Sequence, residues 1–287
     1  GQGSLFAINQ TGDNSLITLR YKLKDADIQV AEEPFEAGGA KFARGAFLVK
    51  GVAQGDLDAQ LTALGLKGVA LAAAPTVKTH PARAARVALL HQWTSTQTEG
   101  WWRMALDIYG VPYDYIDPET VKKTPNLRAK YDVIIFGPGG GQGAVEGQPM
   151  WRNPVPWNKK ELPNVGAWAQ TDDTRIGMGL EGLIKLREFI AQGGVFIGSN
   201  SSAEFAISNN FTHGVSAGAA GSTTRVVGSL LRTKIVDEAS PLVYGVPDNL
   251  AMYSGNGAYF TVSSTQGGGG RGGGGAAPAA ATAGQRG

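Results

Sequence analysis

The chain has 287 residues, 26 Lys and Arg against 24 Asp and Glu, three His and no Cys. That length is ample for a buried core of one large or two ordinary domains. The near-neutral charge, with no long block of either sign, excludes the electrostatic footprint of a nucleic-acid binder, and the missing Cys excludes disulfides, thiolate metal sites and a cysteine nucleophile.

In chain order, Ser4 to Asn9 is a short apolar run that ends in Thr11, Gly12 and Asp13 and predicts a strand. Leu16, Leu19 and Leu23 then recur at helical spacing. Strands are expected at Ile28 to Val30 and at Gly45 to Lys50, followed by a helix over Asp56 to Leu64 and a strand over Val69 to Ala74. Strands alternating with helices of this length imply crossover connections and a largely parallel sheet, so residues 1–75 read as a small α/β unit. A composition shift makes 76–85 a connector.

A second α/β unit is expected over 86–265, with strands at Val87 to Leu90, Tyr113 to Ile116, Tyr131 to Phe136 and Gly193 to Gly198. The nearly continuous apolar run ending at Phe136 is the mark of a strand buried on both faces. Helices are expected at Glu99 to Tyr109, with Trp102, Leu106 and Tyr109 inward, and at Leu180 to Ala191. Between them Gly137 to Val165 is too long for an ordinary connection and reads as a lid or surface excursion. Late strands are expected over Val226 to Val236 and Ala258 to Val262. Ten of the 42 glycines fall in the last 21 residues, and the tail 266–287 has the composition of a disordered segment. No apolar run approaches the roughly 20 residues of a membrane helix. Gly stands at position 1 and no leader pattern follows it, which reads as a piece of a longer protein.

Five segments carry candidate chemistry. Gly198-Ser199-Asn200-Ser201-Ser202 is a sharp strand-to-helix junction, the kind of elbow that lifts its central side chain out at the carboxyl end of a parallel sheet. Its central residue, Asn200, cannot attack a carbonyl; a shifted reading uses Ser199 or Ser201 as nucleophile with His213 as base. His91 to Trp102 follows a strand and offers Trp93, Glu99, Trp101 and Trp102 to a ligand; its aromatic residues equally suit a loop that seals the core. Gly137 to Gly143 lacks the Lys-Ser/Thr of a phosphate-binding loop. Trp151, Trp157, Trp168, Asp172 and Asp173 could line an aromatic groove for peptide or sugar. Finally, His80, His91 and His213 lack the close ligand pair of a hydrolytic zinc site, so no metal or other cofactor is expected in this chain.

The segments Arg86 to Asp117, Lys130 to Pro138, Arg175 to Ile207 and Val226 to Asp248 occur in an order that resembles the C-terminal region of large bacterial zinc carboxypeptidase-like proteins. The shared features include the Glu-Gly-Trp turn at Glu99, the glycines Gly177, Gly179 and Gly182 before a helix, and Pro-Leu-x-Tyr-Gly at Pro241. In that family a carboxypeptidase A-type metallopeptidase domain is followed by a class I glutamine amidotransferase-like domain. The resemblance implies a flavodoxin-like or amidotransferase-like fold and an extracellular or periplasmic location. It also implies a zinc site that lies in the peptidase half, which has no counterpart here. The resemblance places the amidotransferase nucleophile position at Asn200 or, shifted, at Ser199, so the expected role is non-catalytic: binding of the peptidase half, of peptide, or of a second copy. A hydrolase using Ser199 or Ser201 with His213, and a self-assembling structural protein, are the alternatives.

Overall fold

The computed structural model describes residues 5–94, 96–148, 151–166, 169–218, 228–255 and 259–263. The N-terminal half runs β1 (Leu5–Ile8), α1 (Ser15–Lys22), β2 (Asp27–Ala31), β3 (Phe35–Ala37), β4 (Ala40–Phe42), β5 (Phe47–Lys50), α2 (Gln54–Ala63), β6 (Gly68–Leu71) and β7 (Thr79–Pro81). Its five-stranded sheet has the order β6-β1-β5-β2-β7, and every neighbouring pair in it is antiparallel. The expected parallel sheet is therefore corrected. Both crossovers exist, but β1-α1-β2 straddles β5 and β5-α2-β6 straddles β1, the interleaving of a split β-α-β topology. Parallel strands end up one place apart, with an antiparallel strand between them.

The alternation of side chains along β1 explains its complete burial. Phe6 and Ile8 face α1 and α2 with Leu16, Leu19, Leu57 and Leu61, while Leu5 and Ala7 face Phe42, Leu48 and Leu71. Phe35 and Phe42 of the β3–β4 hairpin stack at 4.8 Å and help to cover that second face. The connector expected over 76–85 contributes β7, so this sheet extends through Pro81.

The second half runs β8 (Val87–Leu90), α3 (Glu99–Ile108), β9 (Tyr113–Ile116), α4 (Pro118–Lys123), α5 (Leu127–Lys130), β10 (Val133–Phe136), α6 (Gly143–Glu146), α7 (Gly179–Ala191), β11 (Val195–Gly198) and α8 (Ser201–Ser208). Here the sheet is parallel throughout, in the order β11-β10-β8-β9. Ala88, Leu90, Ile134 and Phe136 pack on one face with Leu186, Phe189 and Phe205, whereas Val87, Leu89 and Ile135 pack on the other with Trp102, Leu106 and Tyr109. The inward face predicted for α3 is the one observed. The two halves join there: Tyr21 of α1 packs against this second cluster and donates to the Ala85 carbonyl at 2.9 Å, and Thr18 donates to the Tyr109 carbonyl. Local sequence sets the short helices, since Asp117 accepts from Thr120 N at 2.7 Å with Pro118 in the first turn of α4.

At the base of the parallel sheet Asp132 accepts from the Arg86 backbone N–H and guanidinium and from Arg128 at 2.6 Å, which ties the start of β8 to the start of β10. These bonds hold its carboxyl well below the usual carboxylate range. The site is partly solvated, so Asp132→Ala is expected to lower the unfolding free energy by only about 1–2 kcal/mol in urea titrations.

After α8 come β12 (Val215–Gly218), β13 (Ser229–Arg232), β14 (Ala251–Ser254) and β15 (Tyr259–Val262), paired as two separate two-stranded ribbons. Leu230, Tyr253, Phe260 and Val262 on these ribbons are exposed. The first residues of the expected strand Val226 to Val236, the tail 266–287 and Trp168 lie outside the described residues. No described helix is long and apolar enough to cross a membrane.

Candidate functional site

The chain enters the parallel sheet at β8, turns to β9 on one side and later to β10 on the other, so the connections leave β8 and β10 in opposite directions. A crevice between the carboxyl ends of those two strands is the expected place for a ligand in an open α/β sheet. Three loops meet at this rim. Gln92 Nε2 donates to the Gly139 carbonyl at 2.7 Å, Thr98 Oγ1 to the Pro138 carbonyl at 2.8 Å, and Gly139 N to Ser201 Oγ at 3.1 Å.

Under the Gly-rich loop lies a buried polar cluster. His91 is 2% exposed and its ring stacks on Tyr115 at 3.9 Å, with the edge of Trp93 at 4.9 Å. Glu99 is 4% exposed, its Oε2 accepting from the Tyr115 hydroxyl at 2.9 Å, and the Arg103 guanidinium sits 4.7 Å above the Tyr115 ring. His91 Nδ1 is 3.3 Å from the Gln92 carbonyl, which assigns Nδ1 as the protonated nitrogen and Nε2 as an acceptor. Burial pushes His91 down to about 4 and pushes Glu99 up. Tyr115 is raised by burial and by the adjoining Glu99 carboxylate. Among the described residues, His91 Nε2, Gln92 Oε1 and Glu99 Oε1 have no hydrogen-bond partner. Their residues line a cavity of about 10 Å³ together with Thr96, Phe136 and Gly140. That is room for about one water molecule.

The elbow is present. β11 turns into α8 through Asn200, a non-glycine residue held at φ 57° and ψ −125°. Such backbone persists only where its surroundings enforce it. Ser202 supplies that enforcement: fully buried, it accepts from Ser199 N at 2.8 Å and lies 2.6 Å from the Phe136 carbonyl, joining the elbow to the end of β10. A Cβ at Gly198 would fall 2.6 Å from the Ser202 carbonyl oxygen, so the tight turn needs glycine there. Ser202 belongs to the elbow segment named from the sequence, where serines after a strand read as a cap and turn.

The sequence-derived candidates do not all converge. Asn200 is exposed at the rim and Ser201 meets the Gly139 loop, while Ser199 Oγ is buried with no hydrogen-bond partner among the described residues. His213 lies at the other end of α8, lining a 530 Å³ groove with Ile184, Arg187, Glu188 and Phe211. Eight residues of helix span about 12 Å, so the pairing of Ser199 or Ser201 with His213 is not made. Trp102 is a core residue packed with Leu89 and Ile135, and Trp101 is 65% exposed, so the Trp pair neither seals the core as a unit nor forms a pocket wall. Of the four side chains that segment was expected to offer a ligand, Trp93 and Glu99 reach the buried cluster, whereas His91 and Tyr115, the residues they contact, were not proposed as ligand-binding from the sequence.

Of the motif glycines, Gly177 and Gly182 have a packing role, whereas Gly179 sits at positive φ in open space. A Cβ at Gly177 would lie 2.2 Å from the Val145 carbonyl oxygen, where the chain entering α7 crosses α6. Trp151 and Trp157 are exposed, and Asp173 is held low by its ion pair with Arg175 rather than presented to a ligand. Among the described residues no three His, Asp or Glu side chains gather to hold a metal ion. Comparison of the chain with known protein families, with curated proteins and with solved structures finds no match.

Proposed function

We propose that this chain is a non-catalytic recognition region of a secreted or periplasmic zinc carboxypeptidase-like protein, with the scaffold of a class I glutamine amidotransferase and with zinc confined to the separate peptidase half. The strand order, in which the first parallel strand lies between the second and third, supports a flavodoxin-like reading of the scaffold. The observation that carries the proposal is Asn200: the elbow is built to present one side chain, and that side chain is an amide. An amide donates and accepts hydrogen bonds but is a poor nucleophile, so the rim can bind and cannot start acyl transfer.

The exposed Leu230, Leu231, Tyr253 and Phe260 support a binding or assembly role. Isolated two-stranded ribbons are marginally stable in water, and contiguous exposed apolar side chains mark surfaces that other protein covers. The peptidase half, a peptide or a second copy are the occupants this reading allows.

Incubation with C-terminal reporter peptides, with and without zinc, should release no terminal residue, and incubation with glutamine should yield no glutamate. Chelator-sensitive peptide turnover, or glutamate production abolished by Ser199→Ala, would end the reading. Sedimentation should show concentration-dependent association or complex formation with the peptidase half.

A further inference from the structure

We infer that Asn200 is a site of spontaneous covalent modification, at which the folded chain promotes ring closure of the Asn side chain onto the next backbone nitrogen, followed by hydrolysis. The inference goes beyond the binding role and does not depend on it.

Ring closure requires the Ser201 nitrogen to approach Asn200 Cγ, so the nitrogen, the Asn200 carbonyl carbon, Cα and Cβ must be nearly coplanar. Ordinary backbone does not allow this. In α-helical or extended conformation the next nitrogen is rotated well away from the Cα–Cβ bond. For an L residue, ψ of −125° brings the two nearly into eclipse, which is the arrangement of the five-membered ring itself. The elbow therefore holds Asn200 in the conformation that an unstructured chain would have to find.

Three further observations remove the usual protection. The Asn200 side chain is exposed and makes no hydrogen bond to cap α8, so its carbonyl carbon is free to turn toward the backbone. Ser201 N–H is in the first turn of α8, and among the described residues no acceptor takes it. The Asn200 carbonyl accepts from Ala203 N at 3.0 Å and Glu204 N at 3.3 Å, which fixes the peptide plane that carries the Ser201 nitrogen. Holding reacting atoms in a near-attack arrangement accelerates intramolecular steps by large factors.

In the first step the Ser201 N–Asn200 Cγ bond forms, the Cγ–Nδ2 bond breaks, and the proton from Ser201 N leaves with the amide nitrogen as ammonia. Water then opens the cyclic imide at either carbonyl, leaving aspartate or isoaspartate at position 200. Nothing is oxidised or reduced. The product places a carboxylate at the N-terminus of α8, where the helix dipole favours negative charge, and converts the neutral apex of the rim to an anionic one.

The test holds the native chain and a urea-unfolded sample at mildly alkaline pH, and follows peptide mass maps, isoaspartate content and ammonia release. Conversion at Asn200 should be at least about tenfold faster in the native chain than in the unfolded one, reversing the usual protection by folding. Asn256-Gly257 provides an internal reference, because a following Gly hinders ring closure least in any chain. Asn200→Gln, which keeps an amide but needs a larger ring, should stop ammonia release from this position while the circular dichroism spectrum stays unchanged. Native conversion at Asn200 equal to or slower than the unfolded rate would overturn the inference. So would a chain cleaved after residue 200, since that product comes from attack by the Asn200 side-chain nitrogen rather than by Ser201 N.

Discussion

Phe136→Ala should lower the unfolding free energy by about 3–5 kcal/mol, the range for removing a fully buried aromatic side chain. Phe136 is 1% exposed and closes β10, with its ring edge-on to Phe205 at 5.2 Å and to Phe196 at 6.4 Å. The Gly-rich loop folds directly over the ring, so close that a Cβ on Gly140 would lie 2.3 Å from it. Such a cluster cannot easily collapse into the space, because its members come from β10, β11 and α8 and are fixed by the sheet register. For a domain of this size the loss corresponds to a fall in Tm of about 10 °C. Phe136→Leu, which preserves most of the volume, should cost about 1–1.5 kcal/mol. An alanine variant melting within a degree or two of the parent would show that this ring is not in the core.

The second large effect is a pH dependence that belongs to His91. Its folded value of about 4, against an ordinary value of 6.5, arises first from burial, with Arg103 adding to the shift and Asp117 and the Gln92 carbonyl opposing it. An unfolded chain takes up a proton as pH falls through about 6.5, and the folded chain refuses that proton until about 4. The His91 contribution is therefore fully present above the unfolded value and is lost as pH falls through this window, by about 3 kcal/mol in all.

Glu99 acts in the opposite sense. Its raised value makes the protonated carboxyl the form favoured by the fold, so its contribution is present below the ordinary carboxylate value and is lost as pH rises through the folded one. Wild-type curves thus show a partial cancellation, which variants resolve. His91→Phe keeps an aromatic ring against Tyr115 and removes the proton. The difference in unfolding free energy between wild type and this variant should shrink or change sign by about 3 kcal/mol between roughly pH 7 and pH 4. Glu99→Gln should steepen the acid loss that remains with His91. Parallel pH profiles for wild type and His91→Phe would mean that His91 is solvated or protonated in the fold.

Several features were legible in the residues. The run ending at Phe136 predicts a strand covered on both faces, and β10 is one, because an unbroken apolar sequence leaves no side of a strand for water. Trp102, Leu106 and Tyr109 line one side of α3 as their spacing requires. The elbow was likewise legible, from a Gly-ended strand followed by Ser, Asn and Ser before an apolar helix. The β3–β4 hairpin was not expected, although Gly38-Gly39, both at positive φ, is a turn signal between its short strands.

What had to come from tertiary structure was every relation between distant segments. Alternating strands and helices state that crossovers exist, but not whether a strand will slip between the two that a crossover joins, and β5 and β1 do so. Glu99 reads locally as an acidic residue in the first turn of a helix; only the packing of β9 beside β8 brings Tyr115 to it and stacks the same ring on His91. His213 and the elbow serines lie close in sequence, yet α8 stands between them, with the serines at its start and His213 beyond its end in a groove against α7. Periodicity reports which face of a segment seeks burial, a property of neighbours within a turn or two. The partner that supplies the burial is chosen by the global packing of both sheets.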